Sequence, residues 1–470
     1  MKIPEGEIVY LQRRRRDNNG DVFSWNSKVL RGIYPEAVQS MLHLFKSGFI
    51  NTLRQENLIP DTRITNYRFT NYPLIIEHER IDPVIFPQEW TFSMLRDSAL
   101  MLLRVARIAR KYGLNMKDCH GLNVLFECNR PKYIDIGSFV LDNTRKKAWF
   151  SYEEFLRFYY YPLVLWRNGL DFVAKLSIFS GNLTPHHEYL LYKSILLRRF
   201  NRKLLQYLVR ALFLPHNLLS SDKPAIYRKL SKRNYLVKRS VYLLKLILQG
   251  ITPDRDLFHL EKKITSIKRH PIATDWKDYH SIITRKKERF DRIIQLTNRF
   301  CLDAKTAIDV GGNQGLFSRL LLERTRIRQV ICQDSDEQAI DIGYNKNKKT
   351  HDRIIFVNYN FMAPIVKTTY PLPWERFKSD MVFALALLHH LTLSQGYHID
   401  HVLQEIGRYS KKYVCIEFMP KGLWIRGGQV NIPTWYNLAW FEEHFSKYFH
   451  LIHSEQIGEN YIVFLGKIMQ

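Results

Sequence analysis

Residues Thr306–Arg324 read TAIDVGGNQGLFSRLLLER, an apolar run that passes through three glycines into a helical pattern. This feature constrains the fold more than any other in the chain. Glycines at a strand-to-helix turn let the backbone come close to a ligand and leave amide donors at a helix amino end. The spacing is DxGxxxG, which lacks the compact GxGxxG arrangement that cradles a pyrophosphate. A second apolar run, 328–334, ends in Asp334, 25 positions after Asp309. Further strand-like runs follow at SDMVFALALLHHL (379–391), which leads into paired histidines, and at YVCIEF (413–418), which leaves Glu417 near its end. Helical patterns separate these runs, beginning with 285–300, so βαβ units and a largely parallel sheet are expected. Ligands of such sheets sit at the carboxyl ends of the strands, where these four elements converge.

With those residues in place, 285–470 resembles the class I S-adenosylmethionine-dependent methyltransferases. More narrowly it resembles bacterial nodulation-protein-related methyltransferases, which share ALALLHHL-type (384–391) and IEFMP-type (416–420) strands. The resemblance implies a Rossmann-like doubly wound sheet and S-adenosyl-L-methionine as methyl donor. Gly311, Gly312, Asn313 and Gly315 would line the methionine part, with Asp309 near its ammonium and Asp334 on the ribose. Adenine would lie near Asp336 and the VNYN segment 357–360. There this chain offers Asn358 and Asn360 where many relatives carry an acid. A sulfonium methyl is already activated, so proximity and in-line geometry supply much of the catalysis. An alcohol acceptor also needs a base, and the candidates are His390 and Glu417, with His389 behind them. An anionic acceptor would need orientation instead, by Lys421 or Arg426. The blander alternatives are an ordinary strand–turn–helix, a satisfied histidine pair and a salt-bridged or surface Glu417.

The amino-terminal half carries a different pattern. In DCHGLN, Asp118 and Asn123 stand five apart, and two short strands (123–126 and 132–136) then deliver Asp135 followed by Ile-Gly. Phosphoryl transfer on the kinase fold uses such a triad: one acid orients the acceptor hydroxyl, and the Asn and second acid hold magnesium. Residues 20–200 thus resemble an atypical protein-kinase-like or aminoglycoside/choline-kinase-like α+β domain, which implies ATP and magnesium, the metal held by Asn123 and Asp135. The departures are the missing glycine-rich loop before residue 60 and the missing VAIK-type lysine, for which Lys28 or Arg31 could stand in. A scaffold without phosphoryl transfer is the competing reading. Locally, strands are expected at 21–25, 28–34 and 74–79, and helices at 35–50 and 91–113, the latter capped by Thr91 and stopped by Gly113.

The expected organisation is a kinase-like domain at 1–200, a helical basic connector and linker at 201–284, and the methyltransferase domain at 285–470. The formal charge of +26 gathers at Arg13–Arg16, Arg198–Lys245 and Arg285–Arg292. It favours an anionic or glycan acceptor, peripheral contact with an anionic membrane, or nucleic acid as the less favoured partner. Five scattered cysteines without a CxxC pair suggest neither a disulfide framework nor zinc. No apolar leader follows Met1, and a cytoplasmic protein is expected. Three readings stand: a methyltransferase for a saccharide or a cell-surface or signal-molecule precursor, an RNA methyltransferase, and a non-catalytic binding protein. A bifunctional kinase-methyltransferase extends the first.

Overall fold

The computed structural model describes residues 1–12, 19–142, 149–180, 257–269, 287–348, 350, 353–366, 370–422, 424, 425, 428, 429 and 432–469. The arginine run 13–16, the basic stretch 198–245 and Arg426 lie outside them, as does most of the expected connector. The chain divides into two compact units, Met1–Met101 with Gly121–Ser138 and Pro271–Gln470, and Leu102–His120 with Phe139–His270.

The first unit holds two large sheets. Strands β1 (Val9–Gln12), β2 (Gly20–Trp25), β3 (Lys28–Ile33), β4 (Thr62–Ile64) and β5 (Leu74–His78) form an antiparallel sheet ordered β1-β2-β3-β5-β4. Phe23, Trp25, Leu30 and Ile75 pack on one side of it with Phe69 and Tyr72. The single helix expected at 35–50 is broken. Gly48 takes φ +82°, a left-handed conformation that suits glycine, and separates helices Val38–Lys46 and Phe49–Gln55.

The second sheet is built from β10 (Thr306–Val310), β11 (Gln329–Asp334), β12 (Ile354–Asn358), β13 (Ser379–Ala384), β14 (Ser410–Phe418), β17 (Phe449–Gly458) and β18 (Tyr461–Ile468), while β15 (Trp424–Ile425) and β16 (Gly428–Gln429) pair with each other as a separate ribbon. The order is β12-β11-β10-β13-β14-β18-β17, parallel from β12 to β14 and closed by an antiparallel hairpin. The expected mixed α/β architecture, with strands and helices alternating through this part, is what forms. Side chains alternate across a sheet, so Ala307, Met381, Phe383, Cys415, Val463 and Leu465 share one face. There they pack under helices Lys287–Phe300 and Leu316–Arg324 through Phe290, Ile293, Phe317 and Leu321. The same period puts Asp309, two after Ala307, and Glu417, two after Cys415, on that face.

Helix Phe92–Lys111 begins as its sequence indicates, with the Thr91 hydroxyl accepting from the Met94 amide at 3.4 Å. Its remaining first-turn donors are met from far along the chain. Phe92 N donates to Glu337 Oε1 at 2.8 Å, and Ser93 N and Oγ donate to the Asp341 carboxylate at 2.8 and 2.9 Å. Both acids belong to helix Glu337–Asn347, whose Tyr344 also donates to Asp97 at 2.9 Å. Acids at a helix amino end satisfy orphan amides and complement its dipole. Nearby, Arg376 pairs with Glu89, and the side chains are only 6% and 2% exposed. Its guanidinium reaches Val84 O at 2.5 Å as well.

In the second unit, β6 (Leu114–Met116) pairs with β9 (Phe139–Leu141), and helices Tyr152–Phe155, Tyr161–Arg167, Asp171–Ser180 and Leu257–Ser266 bury Phe155, Tyr159, Trp166 and Leu260. Arg269 holds Asp171 at 2.6 Å. Among the described residues no helix is long and apolar enough to cross a membrane.

Removing one member of a dry ion pair leaves the other charge buried and unpaired. Arg376→Ala should therefore lower stability by about 3–5 kcal/mol, read as a shift in the denaturant midpoint. A change of under about 1 kcal/mol would show the pair to be solvated.

Candidate functional site

The turn after β10 is set by backbone that few side chains tolerate. Gly311 and Gly315 take φ +73° and +76°, and Asn313 takes +51°. A Cβ at Gly312 would stand 2.7 Å from Cys332 Sγ and 2.9 Å from Asp309 Oδ2, so a larger residue would have to displace those side chains. The amides of Gly311 and Gly312 donate to Gln333 O at 2.9 and 3.0 Å. This clips the turn onto the end of β11, the neighbouring parallel strand.

Asp334 completes that clip. One carboxylate oxygen accepts from Asn313 N at 2.9 Å and the other from Asp336 N at 2.8 Å. Asp309 lies beside it, 3% exposed, with Oδ2 accepting from Ser318 Oγ at 2.7 Å. Burial pushes Asp309 up to about 6, eased by the Ser318 hydrogen bond and reinforced by the charge of Asp334. Burial likewise pushes Asp334 up to about 6, against the pull of the amides it accepts from.

These groups open onto a cavity of about 170 Å³ at the carboxyl ends of β10, β11 and β13. Of the residues anticipated from sequence, Asp309, Gly311, Gly312, Asn313, Asp334 and His390 line it. Gly315 sits behind, starting helix Leu316–Arg324, where a Cβ would meet the Phe356 ring at 2.9 Å. Asp336, Asn358 and Asn360 are not in the wall. Asp336 caps helix Glu337–Asn347 by accepting from Gln338 N and Ala339 N at 2.9 and 3.1 Å. Asn358, 2% exposed, donates to Asp334 O at 2.8 Å, and Asn360 accepts from Met362 N at 3.0 Å. All three shape the neighbouring turns.

The histidines separate in role. His390 faces the cavity, and burial lowers its pKa. His389 lies behind, 4% exposed, its ring 4.1 Å from that of His390. Burial first, then His390 and Arg289, bring it down to about 3. Glu417 is wholly buried on β14, 3.4 Å from Arg289 Nε. Of that pair it is Arg289 that reaches the cavity, its guanidinium 4.8 and 4.7 Å from the Phe290 and Tyr461 ring centres. Lys421 is paired with Glu459 on the hairpin turn.

The sequence reading missed Arg289, Phe290, Phe317, Leu385, Ala386, Leu387 and Gln395 as cavity residues. Arg289 lay inside the noted basic run 285–292, which carried no sign that one of its cations is buried. Ala386 takes φ +51°, a conformation rare outside glycine and enriched at functional sites.

In the amino-terminal half, Arg31 on β3 is 4% exposed and holds Asp135 at 3.3 Å. Lys28 turns instead to Tyr67 at 2.6 Å and Glu77 at 3.4 Å. Asn123 lies at the start of β7 (Val124–Glu127), whose hairpin with β8 (Arg130–Tyr133) turns at Cys128, φ +53°. Asp118 falls in the second unit, exposed, beside Cys119, whose amide donates to Glu154 at 2.5 Å. Among the described residues no group of three or more His, Cys, Asp or Glu side chains could hold a metal.

No family profile matches the chain. It is 25% identical over 434 residues to "Nodulation protein NoeA" of Rhizobium meliloti (strain 1021), across 86% of this chain and 84% of that protein. Among solved structures, the N-methyltransferase NodS from Bradyrhizobium japonicum WM9 aligns with 39% of this chain and 97% of its own, at 11% identity and a TM-score of 0.30. Magnesium protoporphyrin IX methyltransferase (ChlM) from Synechocystis PCC 6803, solved with bound SAM, aligns with 42% of this chain and 87% of its own, at 13% identity and a TM-score of 0.31.

Both carboxyls are harder to ionise in the folded chain than in the unfolded one, where aspartate titrates near 3.8. The folded state therefore holds more protons between about 4 and 6, and their contribution to unfolding free energy falls as pH rises through that window. Asp309→Asn should remove part of that slope. Denaturant titrations at pH 4, 5 and 6 on both proteins measure it, and parallel curves would mean that Asp309 titrates normally.

Proposed function

We propose that the chain is an S-adenosylmethionine-dependent methyltransferase acting on a polar acceptor, a saccharide or a precursor of a cell-surface or signal molecule. The observation that carries this reading is the cavity itself. Glycine backbone on which a Cβ would crowd its neighbours faces two carboxylates at adjoining parallel strand tips. A donor carrying both a sulfonium and an ammonium is cationic at its reactive end, and Asp309 and Asp334 supply the matching negative potential. Asp334, fixed by two backbone amides, has lone pairs left for ribose hydroxyls. Arg289, buried in the wall, suits the donor's carboxylate.

When bound, the donor supplies an activated methyl group that needs little from the protein beyond position. The chain's own contribution is orientation and, for a hydroxyl acceptor, proton removal. His390 is the base in this reading. It stands in the wall, and its lowered pKa keeps it neutral and able to accept a proton at neutral pH. His389 packs behind and holds the ring, while Glu417 holds Arg289 and is too buried to meet an acceptor.

We read the amino-terminal sheet and the β7–β8 hairpin as a kinase-like scaffold without phosphoryl transfer. What favours this is the Arg31–Asp135 pair: the cation that could hold phosphates is engaged by the acid that would hold magnesium.

Calorimetry with S-adenosylmethionine tests the main reading. Asp334→Ala should weaken binding by about 1–3 kcal/mol through lost charged hydrogen bonds, and unchanged affinity would remove the ribose assignment. Donor affinity should also fall as pH drops through about 6, where Asp309 and Asp334 take up protons and lose the charge that attracts a cation. A flat profile between pH 5 and 8 would count against their role. Asp135→Ala should cost about 1–3 kcal/mol of stability by removing a charged hydrogen-bond acceptor from the buried Arg31, with donor affinity unchanged. A loss of donor binding in that variant would overturn the scaffold reading.

A further inference from the structure

The parallel sheet has a second cavity at its other end. It is open, about 740 Å³, and is lined by Lys305, Arg326, Arg328 and Arg353 together with Leu322, Thr325 and Ile327. The topology explains the convergence. Lys305 immediately precedes β10, Arg326 and Arg328 precede β11, and Arg353 precedes β12, three adjacent strands in parallel register. Neighbouring strands lie about 4.8 Å apart, so cations at their amino ends are brought side by side. Arg328 N donates to Lys305 O at 2.7 Å, fixing two of the segments together.

Several cations elsewhere on this domain's surface have carboxylate partners. Arg292 holds Glu455, Arg324 holds Asp291, Arg408 holds Glu405 and Lys412 holds Asp303. Among the described residues none of the four cavity cations has a carboxylate partner. The nearby Asp380 accepts from Lys305 N and Thr306 N at 2.8 and 3.1 Å, both through Oδ2. Like charges gathered in a concavity repel one another, and a bound anion relieves that repulsion.

We propose that this cavity binds phosphate groups, with two or more phosphoryl charges spread over Arg326, Arg328, Arg353 and Lys305. Three guanidinium forks match phosphate oxygens in bidentate geometry, and the lysine adds a point charge. Among the described residues the wall carries no aromatic ring on which a nucleobase could stack, which disfavours single-stranded RNA as the occupant. The site stands at the opposite strand ends from the donor crevice and does not depend on the methyltransferase reading.

Pyrophosphate titrated calorimetrically into the full chain tests the site. Binding should weaken as salt rises, and should weaken on the order of tenfold or more in Arg326→Ala/Arg328→Ala/Arg353→Ala. The thermal unfolding midpoint serves as the fold control, and these residues take no part in donor binding. Sedimentation with phosphatidylglycerol and phosphatidylcholine vesicles separates the sources. Capture by the anionic vesicles alone, reversed by pyrophosphate, supports the site with a lipid headgroup as its ligand. Pyrophosphate binding without vesicle capture supports it with a soluble phosphate compound. No pyrophosphate binding, equal binding by the triple variant, or retention of an RNA oligonucleotide without pyrophosphate affinity overturns the proposal.

Discussion

The carboxylate of Asp334 ties the candidate site together. It accepts one amide from the glycine turn after β10 and one from the turn after β11. Two loops that belong to different βαβ units are thereby held in one geometry. The Gly311 and Gly312 amides complete the tie from the other direction by donating to Gln333 O. The electrostatic consequence is a carboxyl pair at the cavity wall, each less willing to ionise than usual. A cationic ligand resolves that tension and a neutral one does not.

The parts of this site that sequence made legible are those in which local backbone dictates residue type. A glycine that must take positive φ or whose Cβ would crowd its neighbours, as at 311 and 312, leaves a mark readable in one chain. An acid at a strand end, as at 334, does the same. The helix at 91–113, read from its Thr91 cap and Gly113 stop, forms as Phe92–Lys111 for the same local reasons. The strands expected at 21–25, 28–34 and 74–79 form within a residue of their read ends.

What stayed hidden depends on residues distant in sequence. The burial of Arg289 follows from its position over Tyr461 and beside Glu417, more than a hundred residues away. Glu417 read as a base because its strand-end position says nothing of what covers it. Asp336, Asn358 and Asn360 read as adenine contacts, whereas their side chains are spent on turns and a helix cap. The segment 35–50 read as one helix because its apolar spacing runs through Gly48, and only the backbone shows the break. The strand order, with the β17–β18 hairpin closing the sheet beyond β14, is likewise a long-range outcome of packing.

The first turn of helix Phe92–Lys111 takes its partners from Glu337 and Asp341, 245 and 248 positions further on. A ribosome delivers the chain from its amino end, so that helix emerges long before the acids that accept from its first-turn amides. The first turn of that helix thus gains its acidic acceptors only after the second βαβ unit has emerged. A message cut short before that point would yield a product lacking the acids that its own beginning requires.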